Sequence, residues 1–254
     1  MTDAPPRPTR SPRKIIVAID GPAGAGKSTV ARSLAWRFGL LNLETGAMYR
    51  AFALKALRAN LPLDDSNALA GLASHTTIGL EAGEGDNRVL LDGDDVTGLI
   101  REPAVTEAAS KVSVFPEIRA WMVRMQQLLG ADGGVVMEGR DIGTVVFPNA
   151  DVKIFLDAAA EVRGMRRFDQ LGPRPCQQPE EVIRDLRARD ERDRNRADSP
   201  LRPAADAVLL DSTHLTLEEV VQAAEAIVTA RISSSDRDAL QQIDPSIAPS
   251  TREA

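Results

Sequence analysis

Nothing restricts the fold of this chain as tightly as residues 15–35, "IIVAIDGPAGAGKSTVARSLA". An apolar, β-branched run ends at Asp20, three glycines follow within six residues, and Lys27 and Ser28 open a stretch with helical periodicity. A short run that is apolar on both faces is the pattern of a strand covered on each side, as in a parallel sheet. The glycines let successive backbone N–H groups curl around one anionic centre, and the start of the following helix adds its positive end. Gly21, Gly26, Lys27 and Ser28 stand at the spacing G-x-x-x-x-G-K-[ST] of a phosphate-binding loop, in the strand and helix context that gives the pattern meaning. Residues Gly21, Pro22, Ala23, Gly24, Ala25, Gly26, Lys27, Ser28 and Thr29 are therefore expected to cradle a nucleoside triphosphate. Lys27 should reach the β and γ phosphates, and Ser28 should ligate Mg²⁺.

Further apolar runs at 135–137 ("VVM"), 152–156 ("VKIFL") and 207–210 ("AVLL") alternate with helix-like segments, which predicts an α/β fold on a parallel sheet. The stretch 61–101 breaks that rhythm: two short alternating runs around a Gly-Asp-Asn turn read as a small antiparallel insert. At 254 residues one folded unit is expected, from about residue 13 to 232, with polar, turn-rich tails at 1–12 and 233–254.

A net charge of -6 excludes broad nucleic-acid binding, which needs an extended basic surface. No apolar run approaches the roughly 20 residues that span a bilayer. The single Cys176 excludes an internal disulfide, and the N-terminal "MTDAPPRPTRSPR" lacks the apolar segment of a secretory signal, so a cytoplasmic location is expected. Nothing marks a self-complementary surface, and a monomer is expected. The motif alone serves switches, motors and kinases. A guanine-reading Asn-Lys-x-Asp is absent, and "DVTG" at 95–98 lies in the insert rather than after a buried strand.

Three clusters indicate a second anion. In "NLETGAMYR" (42–50), Thr45 is placed as a helix N-cap, with Arg50 about one turn inside. In "VVMEGRDIG" (135–143), Glu138, Arg140 and Asp141 stand at the carboxyl end of a predicted strand, where ligands bind in open α/β sheets, and Glu138 could orient water on Mg²⁺. In "EEVIRDLRARDERDRNRADSP" (180–200), the stripe of Val182 and Leu186 continues through Arg189, Asp193 and Arg196. A face that packs inward at one end thus presents charges at the other, and these need partners.

With these residues together, the chain resembles the bacterial cytidylate (CMP) kinases, a branch of the P-loop nucleoside monophosphate kinases. "IDGPAGAGKST", "ETGAMYRA", "EGRDIGTVVFP", "VKIFLDA", "RDERDRNRADSPL" and "DST" occur in that family's order between Lys14 and Val228. The resemblance implies a three-layer fold with an enlarged nucleoside-monophosphate-binding insert at about 61–101 and a short lid at about 168–180. It implies phosphoryl transfer from ATP, with Mg²⁺, to CMP or dCMP; another acceptor such as UMP or AMP is the alternative. By position, Thr45, Arg50, Arg140 and Arg196 would hold the acceptor phosphate, Arg189 and Asp193 would contact the sugar, and Ser110, Arg119 and Asp141 would read cytosine. Arg166 and Arg167 resemble lid arginines that close on ATP phosphates, which makes Lys27, Arg140, Arg166, Arg189 and Arg196 the catalytic set. Two features depart from the family's usual form: Glu44 stands where aspartate is common, and the lid loop is compact and proline-rich.

Overall fold

The computed structural model describes residues 14–81, 87–171 and 178–232. The two tails, most of the Gly-Asp-Asn turn and the centre of the expected lid loop lie outside the described residues. Five parallel strands form the main sheet: β1 (Ile16–Asp20), β2 (Leu41–Glu44), β6 (Val135–Gly139), β7 (Val152–Asp157) and β8 (Val208–Asp211), in the order β2-β6-β1-β7-β8. β1, β6 and β7 were legible as apolar runs because both their faces are covered. β2 was not expected. Its four residues, "LNLE", include only one buried side chain and carry no run that stands out from a loop.

The period of two along β1 divides the layers. Val17 and Ile19 face a cluster with Val30, Leu34 and Phe38 of α1 (Lys27–Phe38) and Val220, Ala224 and Val228 of α8 (Leu217–Arg231). Ile16 and Ala18 face the opposite side, against Met137, Val146 and Val123 of α5 (Pro116–Leu129). Leu34 is fully buried, and such a side chain contributes about 1.5–3 kcal/mol. α8 begins with a capping box in which Thr216 and Glu219 exchange side-chain and backbone hydrogen bonds.

The region at 61–101 contains a three-stranded antiparallel sheet: β3 (Ile78–Glu81), β4 (Arg88–Leu91) and the two-residue β5 (Asp94–Asp95). It also contains α3 (Ser66–Ala73), whose first turn is capped by Asp65. The apolar cluster holding this sheet extends beyond 61–101 on both sides, from Ala47 and Phe52 on α2 (Thr45–Arg58) to Val112 on α4 (Pro103–Val112) and Met122 on α5. Asp95 of "DVTG" accepts hydrogen bonds from Thr97 and Arg88 and is committed to the small sheet. Among the described residues, no helix is long and apolar enough to cross a membrane.

α6 (Ala160–Leu171) and α7 (Pro179–Asn195) form a helical pair. They pack so closely that a Cβ on Gly164 would overlap the Ile183 side chain. Val182 and Leu186 of α7 close on Ala23 of the phosphate loop, so the inward stripe of this charged helix meets the loop directly.

Candidate active site

Asp20, Glu44, Glu138 and Asp157 all stand at the carboxyl edge of the sheet, at or near the ends of β1, β2, β6 and β7. Gly21 leaves β1 with φ +150°, and a Cβ there would overlap the Leu156 carbonyl of the adjacent strand. Gly24, at φ +76°, sits under Arg163, whose Cβ and carbonyl would lie 3.2 Å from an added Cβ. The loop's path therefore depends on glycine at both places. α1 starts at Lys27 with no side chain capping it, which leaves its first N–H groups directed at the loop's centre.

Lys27 is buried, and its Nζ donates to the Pro22 carbonyl at 2.7 Å. Burial, assisted by the nearby Arg140 charge, brings its ammonium down to about 7. Ser28 hydrogen-bonds to Glu138, a buried carboxyl pushed upward by desolvation and by the neighbouring Glu44. The Oε1 atom of Glu138 has no hydrogen-bond partner. These hard oxygen donors suit Mg²⁺. Among the described residues, no group of three or more Asp, Glu, His or Cys could hold a metal ion.

Opposite the loop lies an arginine cluster. Arg140 Nε donates to Asp193 at 2.9 Å, and Arg196 lies 3.7 Å from the same carboxylate. Burial alone would raise Asp193, but Arg140, Arg189 and Arg196 outweigh it and hold the group below its ordinary value. Arg189 is brought down to about 10 by burial and by Arg140. Arg50 pairs with Glu44 beside it. Of the eight buried side-chain polar atoms without a partner among the described residues, four are arginine donors, on Arg50, Arg119, Arg189 and Arg196. Buried charged donors without acceptors are costly, and their concentration in one place is the mark of an anion site.

Thr45 requires a correction. The helix cap is Glu44, and Thr45 is already in the first turn. Its hydroxyl donates to the Glu138 carbonyl at 2.7 Å rather than to its own helix, because β2 and β6 are paired at this point and bring that carbonyl within reach. The bond stitches α2 to the end of β6.

At the far side of the cluster, Arg119 on α5 is 2% exposed and pairs with Asp141. Ser110 on α4 accepts a hydrogen bond from Arg192 at 3.3 Å. Ser110, Arg119 and Asp141 thus come from three separate elements to one edge of the site. Arg166 is directed elsewhere: it donates to the hydroxyl and carbonyl of Ser212, at 3.0 and 2.8 Å. Arg167 lies beside it on α6.

Two residues that position the site had not been singled out. Asp20 accepts hydrogen bonds from the backbone of Ile142 and Gly143, both at 2.8 Å. It anchors the π-helical turn Ile142–Val146, immediately after Arg140 and Asp141. Burial brings Asp20 up to about 6, against the pull of those two amides. A carboxylate closing an apolar strand was a signal available in the sequence. Arg163 donates to Ala23 of the phosphate loop at 2.9 Å and pairs with Asp190 of α7 at 2.6 Å, tying loop to helix pair. No local pattern marked it among seven other arginines in α6 and α7.

A phosphate loop and an arginine cluster facing each other across the carboxyl edge of a parallel sheet define a P-loop phosphotransferase. A family model described as cytidylate kinase matches residues 17–230, and the chain belongs to that family. The cytidylate kinase of Pasteurella multocida (strain Pm70) is 48% identical over 209 residues, covering 82% of this chain and 92% of that protein. The cytidylate kinase of Desulfitobacterium hafniense (strain Y51) is 50% identical over 210 residues, with coverages of 82% and 90%. That of Pelotomaculum thermopropionicum is 47% identical over 224 residues, with coverages of 87% and 97%.

Proposed function

We propose that this protein transfers the γ-phosphoryl group of ATP to CMP or dCMP, giving ADP and CDP or dCDP. The observation that carries this reading is the set of buried, unpartnered arginine donors opposite the phosphate loop, an arrangement that a second phosphate would complete. The loop amides and Lys27 hold the donor phosphates. Thr45, Arg50, Arg140 and Arg196 hold the acceptor phosphate, while Arg189 and Asp193 meet its sugar. Arg166 and Arg167 close on the ATP phosphates, Arg166 exchanging its bonds to Ser212 for them.

An oxygen of the acceptor phosphate forms the new bond to the γ phosphorus as the bond to the β–γ bridging oxygen breaks, and ADP leaves with that electron pair. The attacking oxygen is already anionic, so no strong general base is required, and catalysis is positioning plus charge stabilisation. Each charge-assisted hydrogen bond contributes about 1.5–3 kcal/mol, so several are needed to bring two polyanions together. Ser28, with Glu138 acting through water, would hold Mg²⁺, which when bound neutralises charge on the β and γ oxygens. Closure over the two substrates excludes water that would otherwise accept the phosphoryl group.

Asp141 accepts from the exocyclic amine of cytosine, and Ser110 and Arg119 donate to its ring acceptors. Uracil carries a carbonyl in place of that amine and meets the carboxylate unfavourably. The substrates are taken as the partners, with no nucleic acid, and the protein as a cytoplasmic monomer. The test is purified protein with ATP and Mg²⁺ against CMP, dCMP, UMP and AMP, following ADP formation. CMP and dCMP should give the highest turnover; highest turnover with UMP or AMP would overturn the reading.

A further inference from the structure

Tyr49 is the only tyrosine in the chain. It lies four residues after Thr45 on α2, which puts both on one face of the helix, and immediately before Arg50. The Cζ of Arg119 stands 5.9 Å from the centroid of its ring, within the roughly 6 Å reach of a cation–π contact. Arg119 is the largest fully buried side chain of the described residues. Its guanidinium pairs with Asp141, donates to the Ser113 carbonyl at 3.3 Å, and lies 3.9 Å from the Asp198 carboxylate. Its Nε has no hydrogen-bond partner. Backbone and carboxylates thus fix the edges of this guanidinium, and the Tyr49 ring supplies an apolar face beside it. Burial pushes the phenol up to about 12, with Arg119, Asp141, Arg196 and Asp198 as its charged neighbours, so the ring stays neutral at working pH.

We propose that Tyr49 is a positioning residue for the acceptor base: its ring holds the Arg119 guanidinium, and with it Asp141, where both meet cytosine. The inference rests on the proposed CMP reading. An aliphatic side chain of similar volume would still pack on the Ala47–Met122 cluster that Tyr49 touches, but it would offer the cation no quadrupole. The ring therefore matters for recognition, and its volume for packing.

The test compares wild type, Tyr49→Phe and Tyr49→Leu in steady-state kinetics with CMP, UMP and ATP. Tyr49→Leu should raise the KM for CMP roughly tenfold and narrow the preference for CMP over UMP, with the KM for ATP unchanged. Tyr49→Phe should retain the preference, because the ring remains. An unchanged preference in Tyr49→Leu would overturn the proposal, since a purely structural role would lower stability and leave discrimination intact. If Tyr49→Leu fails to fold, 3-fluorotyrosine incorporation labels this position alone. Its ¹⁹F resonance should then shift on addition of CMP and not of ATP; no shift with CMP would equally overturn the proposal. A wild type that shows no preference for CMP would overturn the parent reading as well, and this arm separates the two failures.

Discussion

The two halves of the site are built in opposite ways. The phosphate loop is nine consecutive residues, 21–29, and binds largely through backbone amides whose path the glycines set. The arginine cluster is assembled from side chains on α2, the β6 end, α7 and the turn after it, drawn from positions 50 to 196. The difference extends to how each half stands without a ligand. Lys27 is satisfied by the Pro22 carbonyl, whereas Arg50, Arg189 and Arg196 each keep a buried donor without a partner. A loop of backbone can be preformed and quiet. A cluster of converging cations is held together by the fold around it and is completed by an anion.

The largest expected effect separates the halves at the donor side. Lys27→Ala should lower kcat by about 100- to 1,000-fold, in the range seen when one donor to a developing charge is removed. Its melting temperature should stay near that of wild type, because the buried ammonium is held well below its ordinary value and stabilises the ligand-free fold little. A large fall in melting temperature would show that the loop is not preformed.

Arg196→Ala comes next. Its Nε donates to the Ser199 carbonyl at 2.7 Å, and its Nη2 is one of the orphaned donors. Loss of one charge-assisted contact to the acceptor predicts a fall in kcat of well over tenfold, corresponding to about 1.5–3 kcal/mol. Near-normal turnover in this variant would remove Arg196 from the acceptor site.

Asp141→Asn should weaken kcat/KM for CMP by about tenfold while leaving UMP unaffected or improved. It should also cost stability, measured by denaturant titration, because Arg119 would stay buried with its nearest remaining carboxylate, Asp198, 3.9 Å away. Equal losses with CMP and UMP would mean that Asp141 is structural and does not read the base.

The smallest effect is a proton. The Lys27 ammonium titrates at about 7 in the free protein, and phosphates in the loop would restore its charge. Lys27 is therefore less protonated in the free protein than in the complex, so ATP binding at pH 8 should take up part of a proton. Calorimetry in buffers of different ionisation enthalpy reads this directly, and a buffer-independent enthalpy would refute it. The same downward shift implies that Lys27's contribution to stability rises with pH above about 7, because the unfolded chain then binds more protons than the folded one.

The two halves also differ in how far they were legible in the sequence. Strand, loop and helix at 15–35 form one local unit whose chemistry is printed in order, and β6 and β7 are apolar runs covered on both faces. The acceptor half emerged from spacing along α7, where Val182, Leu186 and Asp193 are buried as the stripe predicts, Arg189 is partly buried, and Arg196 follows the helix as its extended C-cap residue. What stayed hidden depends on contacts between distant segments. β2 is a strand because β6 offers it a ladder, and the Thr45 hydroxyl crosses to Glu138 for the same reason. The bonds of Arg163 to Ala23 and Asp190 join residues 140 and 27 positions apart, which no local pattern records.

The claim that the arginine cluster exists to receive a phosphate has a direct test that needs no turnover. Binding of CMP and of cytidine, which lacks the phosphate, can be measured by calorimetry without ATP. Several charge-assisted contacts predict that CMP binds at least about 100-fold more tightly than cytidine, and that most of this gap closes in an Arg140→Ala, Arg196→Ala double variant. Cytidine binding as tightly as CMP to the wild-type protein would contradict the account.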